Sequence, residues 1–104
     1  MGRINNMLCA RDFVFFVLAA IGVRPVRNNQ LTRHVRRRIG QKLQKRDNLL
    51  YFKPEDTESV FDALMAVLLY NTNSSVTRVP VDMVNRLVAH KTTILQQFRA
   101  RMGM

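Results

Sequence analysis

The segment 24–46 constrains the fold most strongly, because it carries nine positive charges, no acidic residue and few apolar side chains. Four of its apolar residues recur at four-residue spacing, namely Leu31, Val35, Ile39 and Leu43. On a helix these positions cover an arc of about 120°, which forms one apolar stripe among the cations. Asn28 and Asn29 are suitable N-cap residues. We therefore predict a surface helix over residues 28–45 whose stripe packs on a core.

A second constraint is an uncharged run over residues 13–23. A bilayer span needs about 20 apolar residues, so this run is too short to cross a membrane. Its length fits the apolar region of a signal peptide, but Asp12 directly before it argues against secretion. We predict a core helix over residues 8–22 that ends near Gly22, because its interior is apolar on all sides. A short buried strand over residues 13–17 is the alternative.

Two more helices are predicted in the second half of the chain. Pro54 fits the first turn of a helix, and three acidic residues follow it at the positive end of the helix dipole. We expect this helix to cover residues 55–71 and to be buried, because its interior is almost entirely apolar. The last helix is expected over residues 81–101, where the apolar positions after Pro80 follow helical spacing.

The fold class that follows is an all-α, compact bundle of about four helices, with residues 1–104 as a single domain. A chain of 104 residues, 47% of them hydrophobic, is long enough for one core and too short for two. Residues 49–53 are expected to be extended, because the residue before Pro54 avoids helical angles. The β-branched stretch 76–79 allows a minor two-stranded contact with them, although isolated two-stranded sheets are marginal.

The excess of positive charge indicates an acidic binding partner. The chain has 17 Lys and Arg against 7 Asp and Glu, which gives a net charge of +10. Most of the cations are arginines, whose planar fork of donors matches the geometry of phosphate. We therefore predict a nucleic-acid-binding surface on the basic segment. Its candidate contact residues are Arg24, Arg27, Arg33, Arg36, Arg37, Arg38, Gln41, Lys42, Lys45 and Arg46.

The expected ligand is double-stranded RNA or DNA, bound largely independently of sequence. Arg33 and Arg37 lie one helical turn apart on the face opposite the stripe, and we expect this row of cations to contact a phosphate backbone. The order of helix, turn and basic helix resembles a helix-turn-helix in outline, but the connection over residues 22–29 is longer than the usual three or four residues. Only Tyr51 and Phe52 lie close to the segment as aromatic residues, which gives little support for base stacking. Nothing in the sequence distinguishes RNA from DNA.

An assembly subunit is the alternative function. Its basic helix would dock on an acidic protein, and the apolar faces of its last two helices would meet a second copy in a homodimer or larger homo-oligomer. Structural proteins of viruses and small subunits of ribonucleoprotein particles have a similar composition. Membrane binding is disfavoured, because the helix over residues 8–22 lacks the polar face of an amphipathic anchor.

No catalytic residue, metal site or cofactor is predicted, so we do not expect an enzyme. The chain lacks the phosphate-binding, zinc-protease and nucleophile-elbow motifs. The acidic cluster between Glu55 and Asp62 is explained by the start of a helix. Cys9 is the only cysteine, which favours a reducing, intracellular location in the cytoplasm or nucleus. Residues 1–46 are rich in arginine, which leaves a mitochondrial location open, although they lack the serines typical of presequences.

Overall fold

The computed structural model describes residues 3–4, 6–25, 28–70 and 79–104. Its five α-helices are α1 (Ala10–Ala19), α2 (Asn28–Ile39), α3 (Thr57–Tyr70), α4 (Val81–Ala89) and α5 (Lys91–Arg101). Its strands are β1 (Arg3–Ile4), β2 (Met7–Cys9), β3 (Gln44–Arg46) and β4 (Leu49–Phe52), and short 3-10 turns cover Gly40–Lys42 and Pro54–Asp56. The prediction of a mainly helical fold with a minor β contribution is confirmed, with five helices in place of about four.

Phenylalanine rings from three parts of the chain meet in the core. Phe13 of α1 is fully buried, and its ring centre lies 5.5 Å from that of Phe52 in β4 and 4.8 Å from that of Phe98 in α5. Helix α3 packs against α2 and α4 and buries most of its side chains. The two helices expected to be largely buried, α1 and α3, therefore both contribute to the core.

The first helix begins later than predicted, because Met7–Cys9 form strand β2. This strand pairs antiparallel with β4, so its residues take part in a sheet that the sequence did not predict. Helix α1 covers residues 13–17, and the alternative of a buried strand there is wrong. Gly22 follows the helix with φ +71°, a left-handed conformation that glycine adopts without strain.

The four strands form one antiparallel sheet in the order β1-β2-β4-β3. Most of the predicted extended segment 49–53 is strand β4, which has a neighbouring strand on each edge. These neighbours are β2 and β3, whereas the sequence predicted a minor contact with the segment 76–79. Residues 76–78 lie outside the described residues, and Val79 belongs to no strand.

Helix α2 ends at Ile39, six residues before the predicted end. Gly40 has φ +62°, and this left-handed residue turns the chain out of the helix. After the 3-10 turn the chain continues as β3, so residues 40–45 do not continue the α-helix that the sequence predicted. Leu43 is nevertheless fully buried, as the apolar stripe predicts.

His90 divides the predicted helix over residues 81–101 into α4 and α5. Its φ of −106° and ψ of 16° depart from helical values, and its amide donates to the carbonyls of both Arg86 and Leu87. Across the described ranges, no helix has the length and apolar character needed to cross a bilayer.

Candidate nucleic-acid interface

A tight turn fixes which side chains of strand β3 face helix α2. Asp47 and Asn48 connect β3 to β4, and both have positive φ, 51° and 68°. Two such residues are typical of a type I′ hairpin, and Asp and Asn tolerate this conformation better than most residues. The turn sets the register so that Lys45 pairs with Leu50. Because neighbouring side chains on a strand point to opposite faces, Lys45 faces α2 and Arg46 faces away.

A hollow of about 290 Å³ lies between α2 and this hairpin, and we call it the basic hollow. Four cations from three elements line it: Arg11 from α1, Arg33 and Arg36 from α2, and Lys45 from β3. The other described lining residues are Asn29, Thr32, Asn48, Leu49 and Leu50, and none of them is acidic. The basic hollow therefore concentrates positive charge in a concave site.

Two of the arginines of the basic hollow are held in place by backbone carbonyls. The Nε of Arg36 donates to the carbonyl oxygen of Leu43 at 3.2 Å, which joins α2 to the chain entering the hairpin. The Nε of Arg33 donates to the carbonyl oxygen of Asn29 at 3.3 Å. Each bond uses one donor of a guanidinium group that has five, so the terminal nitrogens remain available to a ligand.

A second hollow, of about 410 Å³, adjoins the first at the end of α2, and we call it the helix-end hollow. It is lined by Arg33, Arg36, Arg37, Gly40 and Gln41. Because Arg33 and Arg36 line both hollows, the two form one continuous area, which we call the basic surface. Arg33 and Arg37 are exposed one turn apart, on the side of α2 away from the core.

The three arginines that α2 contributes to the basic surface are Arg33, Arg36 and Arg37. Within the described part of the chain, Arg33, Arg36 and Arg37 form no ion pair, and the Nη1 of Arg37 lies 3.5 Å from the Nδ1 of His34. Like charges at this spacing on a helix repel one another. An anion bound to the basic surface would relieve this repulsion.

The remaining predicted contact residues lie away from the basic surface or extend past it. Lys42 donates to the Oγ of Ser59 in α3 at 3.2 Å, and Arg46 donates to the Oε1 of Gln44 on the far face of the sheet at 3.4 Å. Arg38 is exposed on α2 but lines neither hollow.

Two further candidates belong to other parts of the molecule. Arg24 lines a separate open groove of about 690 Å³, together with Arg101 and the aromatic side chains of Phe15 and Phe16. Arg27 lies outside the described residues. The structure thus brings together Arg33, Arg36, Arg37, Gln41 and Lys45 from the predicted set.

Sequence analysis missed Arg11 as a member of this surface. It stands at the start of α1, and the packing of α1 against α2 and β4 brings it near Lys45. Asn29, Thr32 and Asn48 were missed as well. The dipeptide Asp47-Asn48 was the available signal, because a two-residue turn of this type would have predicted the hairpin.

The acidic cluster of α3 has a structural partner. Lys91 of α5 donates to the Oδ1 of Asp62 at 2.8 Å and lies 3.7 Å from the Oε1 of Glu58. The hydrogen bond to Asp62 raises the pKa of Lys91 above its usual value. Among the described residues, no three His, Cys, Asp or Glu side chains are grouped so as to hold a metal ion. Cys9 is buried beside Met7 on the outer face of the sheet.

The comparisons with known proteins add no family to this picture. No protein-family model, curated protein or solved structure matches the chain.

Proposed function

We propose that the protein binds nucleic acid through the basic surface and contacts the phosphate backbone of double-stranded RNA or DNA. The observation that carries this proposal is the pair of adjoining hollows lined by arginine and lysine, in which none of the described lining residues is acidic. Arginine suits this role because its planar fork of donors matches phosphate oxygens and its charge is permanent. Contacts to phosphate carry no sequence information, so binding is largely independent of sequence.

A duplex fits the basic surface better than a single strand does. Proteins that bind single strands without sequence preference use aromatic side chains as stacking platforms for the bases. In the part of the chain that the structure describes, no aromatic side chain lines either hollow. Binding therefore depends on charge and on the spacing of phosphates, both of which a double helix presents in a fixed arrangement.

The experiment is a salt series with duplex RNA, duplex DNA and single strands of equal length, followed by fluorescence anisotropy. Among the described residues, five cations line the basic surface, namely Arg11, Arg33, Arg36, Arg37 and Lys45. If each meets one phosphate, log K falls with log salt at a slope of about −4.5, so a duplex loses about 500-fold in affinity between 50 and 200 mM salt. Absence of salt-dependent binding to every nucleic acid would overturn the proposal.

A double variant locates the binding face. Replacing Arg33 and Arg37 with alanine removes two phosphate contacts. The slope of log K against log salt should therefore become shallower, from about −4.5 to about −2.7, for all sequences alike. The matched control is Lys53→Ala with Arg86→Ala, which removes the same charge from exposed positions outside both hollows. Equal slopes for the two double variants would show that the basic surface is not the binding face.

An assembly subunit is the second candidate, favoured by two exposed apolar side chains on α4. Val81 and Val88 are 60% and 47% exposed and lie two turns apart on one face of the helix. Light scattering on the same samples tests this candidate. A dimer that Val88→Ser abolishes, together with no binding of nucleic acid, would support assembly and leave the basic surface for an acidic protein.

A further inference from the structure

The basic hollow differs from the rest of the basic surface in the origin of its cations. Its cations belong to three different elements of the fold: Arg11 to α1, Arg36 to α2 and Lys45 to β3. The helix-end hollow, in contrast, takes all its cations from α2. A concave site lined by one sign of charge focuses the electrostatic potential at its centre.

This focused charge matches a group with more than one negative charge. An internal phosphodiester carries a single charge and is flanked by a sugar on each side. A phosphomonoester carries a charge of about −1.5 to −2 at pH 7 and three strong acceptor oxygens. It is attached on one side only, so it fits into a concave hollow of about 290 Å³ more easily than an internal phosphodiester does.

The donors of the basic hollow are positioned before any ligand arrives. The bond from Arg36 to the carbonyl of Leu43 holds the guanidinium between α2 and the hairpin. The two-residue turn at Asp47 and Asn48 fixes the register of Lys45. Such preorganisation favours binding, because less side-chain freedom is lost when the ligand is bound.

We propose that the basic hollow binds a phosphomonoester, and, resting on the proposed function, that this group is the terminal phosphate of a nucleic-acid strand. The helix-end hollow and Arg37 then contact internal phosphates of the same strand. The protein thereby distinguishes the phosphorylated end of a duplex from its interior, without reading its sequence.

The test compares three ligands at one salt concentration: a short duplex with 5′-phosphates, the same duplex with 5′-hydroxyls, and adenosine monophosphate. We expect the phosphorylated duplex to bind about tenfold more tightly than the hydroxyl duplex, a ratio typical of a charge-assisted contact. Adenosine monophosphate should shift the backbone amide NMR signals of Lys45 and Asn48. Equal affinity for the two duplexes, or shifts confined to other residues, would overturn the inference.

The variant Lys45→Gln has a matched control on the same strand. It removes one charge from the basic hollow, whereas Arg46→Gln removes one charge from the opposite face of the sheet. The preference for the phosphorylated duplex should disappear in Lys45→Gln and persist in Arg46→Gln. A preference that survives in both variants, or disappears in both, would contradict the assignment to this hollow.

The two proposals fail in different ways. Salt-dependent binding of both duplexes with no preference for the phosphate end leaves the proposed function intact and overturns the terminal-phosphate inference. Binding of adenosine monophosphate in the basic hollow without binding of any duplex overturns the proposed function and identifies a free nucleotide as the source of the phosphomonoester. The comparison of the duplexes uses the unaltered protein, so it stands even if a variant fails to fold.

Discussion

Replacing Gly40 with alanine tests the chain reversal that brings the hairpin against α2. Gly40 has φ +62°, and an added Cβ would meet no atom within 4 Å. The cost of the substitution therefore comes from the backbone conformation alone and not from a steric clash. For a residue with a Cβ, a left-handed conformation costs roughly 1–2 kcal/mol. Alanine also restricts the unfolded chain, which offsets roughly 0.4–1 kcal/mol of that cost.

The net expectation is that Gly40→Ala lowers the free energy of unfolding by about 1 kcal/mol. A helix that continued through this position would give the opposite sign, because alanine is about 1 kcal/mol better than glycine inside a helix. A helix that ends at Ile39 and a helix that continues through Gly40 thus predict changes in the free energy of unfolding that differ by about 2 kcal/mol.

Urea unfolding followed by circular dichroism measures this effect. With a slope of about 2 kcal/mol per molar urea, the midpoint should fall by about 0.5 M. Gly22→Ala is the matched control, since Gly22 has φ +71° and equally open surroundings, and it should lose a similar amount. A rise in the midpoint for Gly40→Ala would refute the conclusion that α2 ends at Ile39.

Two further predictions concern the stability of the core and of the contact between α3 and α5. Phe98→Ala should lower the free energy of unfolding by about 3–5 kcal/mol, because a buried ring that packs on Phe13 is removed. The control Phe15→Ala, at a ring that is 41% exposed, should cost far less, and equal losses in urea unfolding would contradict the packing. Lys91→Gln should cost up to about 1 kcal/mol at pH 7, because Lys91 is paired with Asp62 in the folded state. The pKa of Lys91 is raised on folding, so this contribution is fully present below its ordinary pKa of 10.5 and is lost as the pH rises through the raised value. Urea unfolding at pH 8 and pH 11 checks this, and a difference between Lys91→Gln and the parent protein that grows at pH 11 would refute it.

The sequence predicted which residues are buried better than it predicted the helices and strands to which those residues belong. The four-residue stripe correctly predicted that Leu31, Val35 and Leu43 are buried. It did not show that Leu43 follows a turn, because the burial of a side chain is compatible with either structure. The deciding residue is Gly40, which terminates a helix when its φ is positive and merely weakens one when its φ is negative.

The break at His90 was hidden for a similar reason. The apolar positions of α4 and α5 fall on one helical stripe when they are counted through His90, so the periodicity predicts a single helix. The strand β2 was missed because its pairing partner lies far along the chain, and no local pattern reveals such a contact. The basic surface was likewise predicted only in part. The arginines of α2 were predicted because they are close together in sequence, whereas the position of Arg11 depends on tertiary packing.

The pairing of β2 with β4 is a long-range contact, so it limits when a newly synthesised chain can complete the sheet. Strand β2 leaves the ribosome first, but its partner is complete only when Phe52 has been added. Until then the ring of Phe52 is not present to pack against Phe13 of α1. The hairpin of β3 and β4, which carries Lys45, also cannot pair with β2. A nascent chain shorter than this is cationic but has no assembled hollow. The selectivity that we propose for a terminal phosphate therefore arises only after strands β2 and β4 have paired.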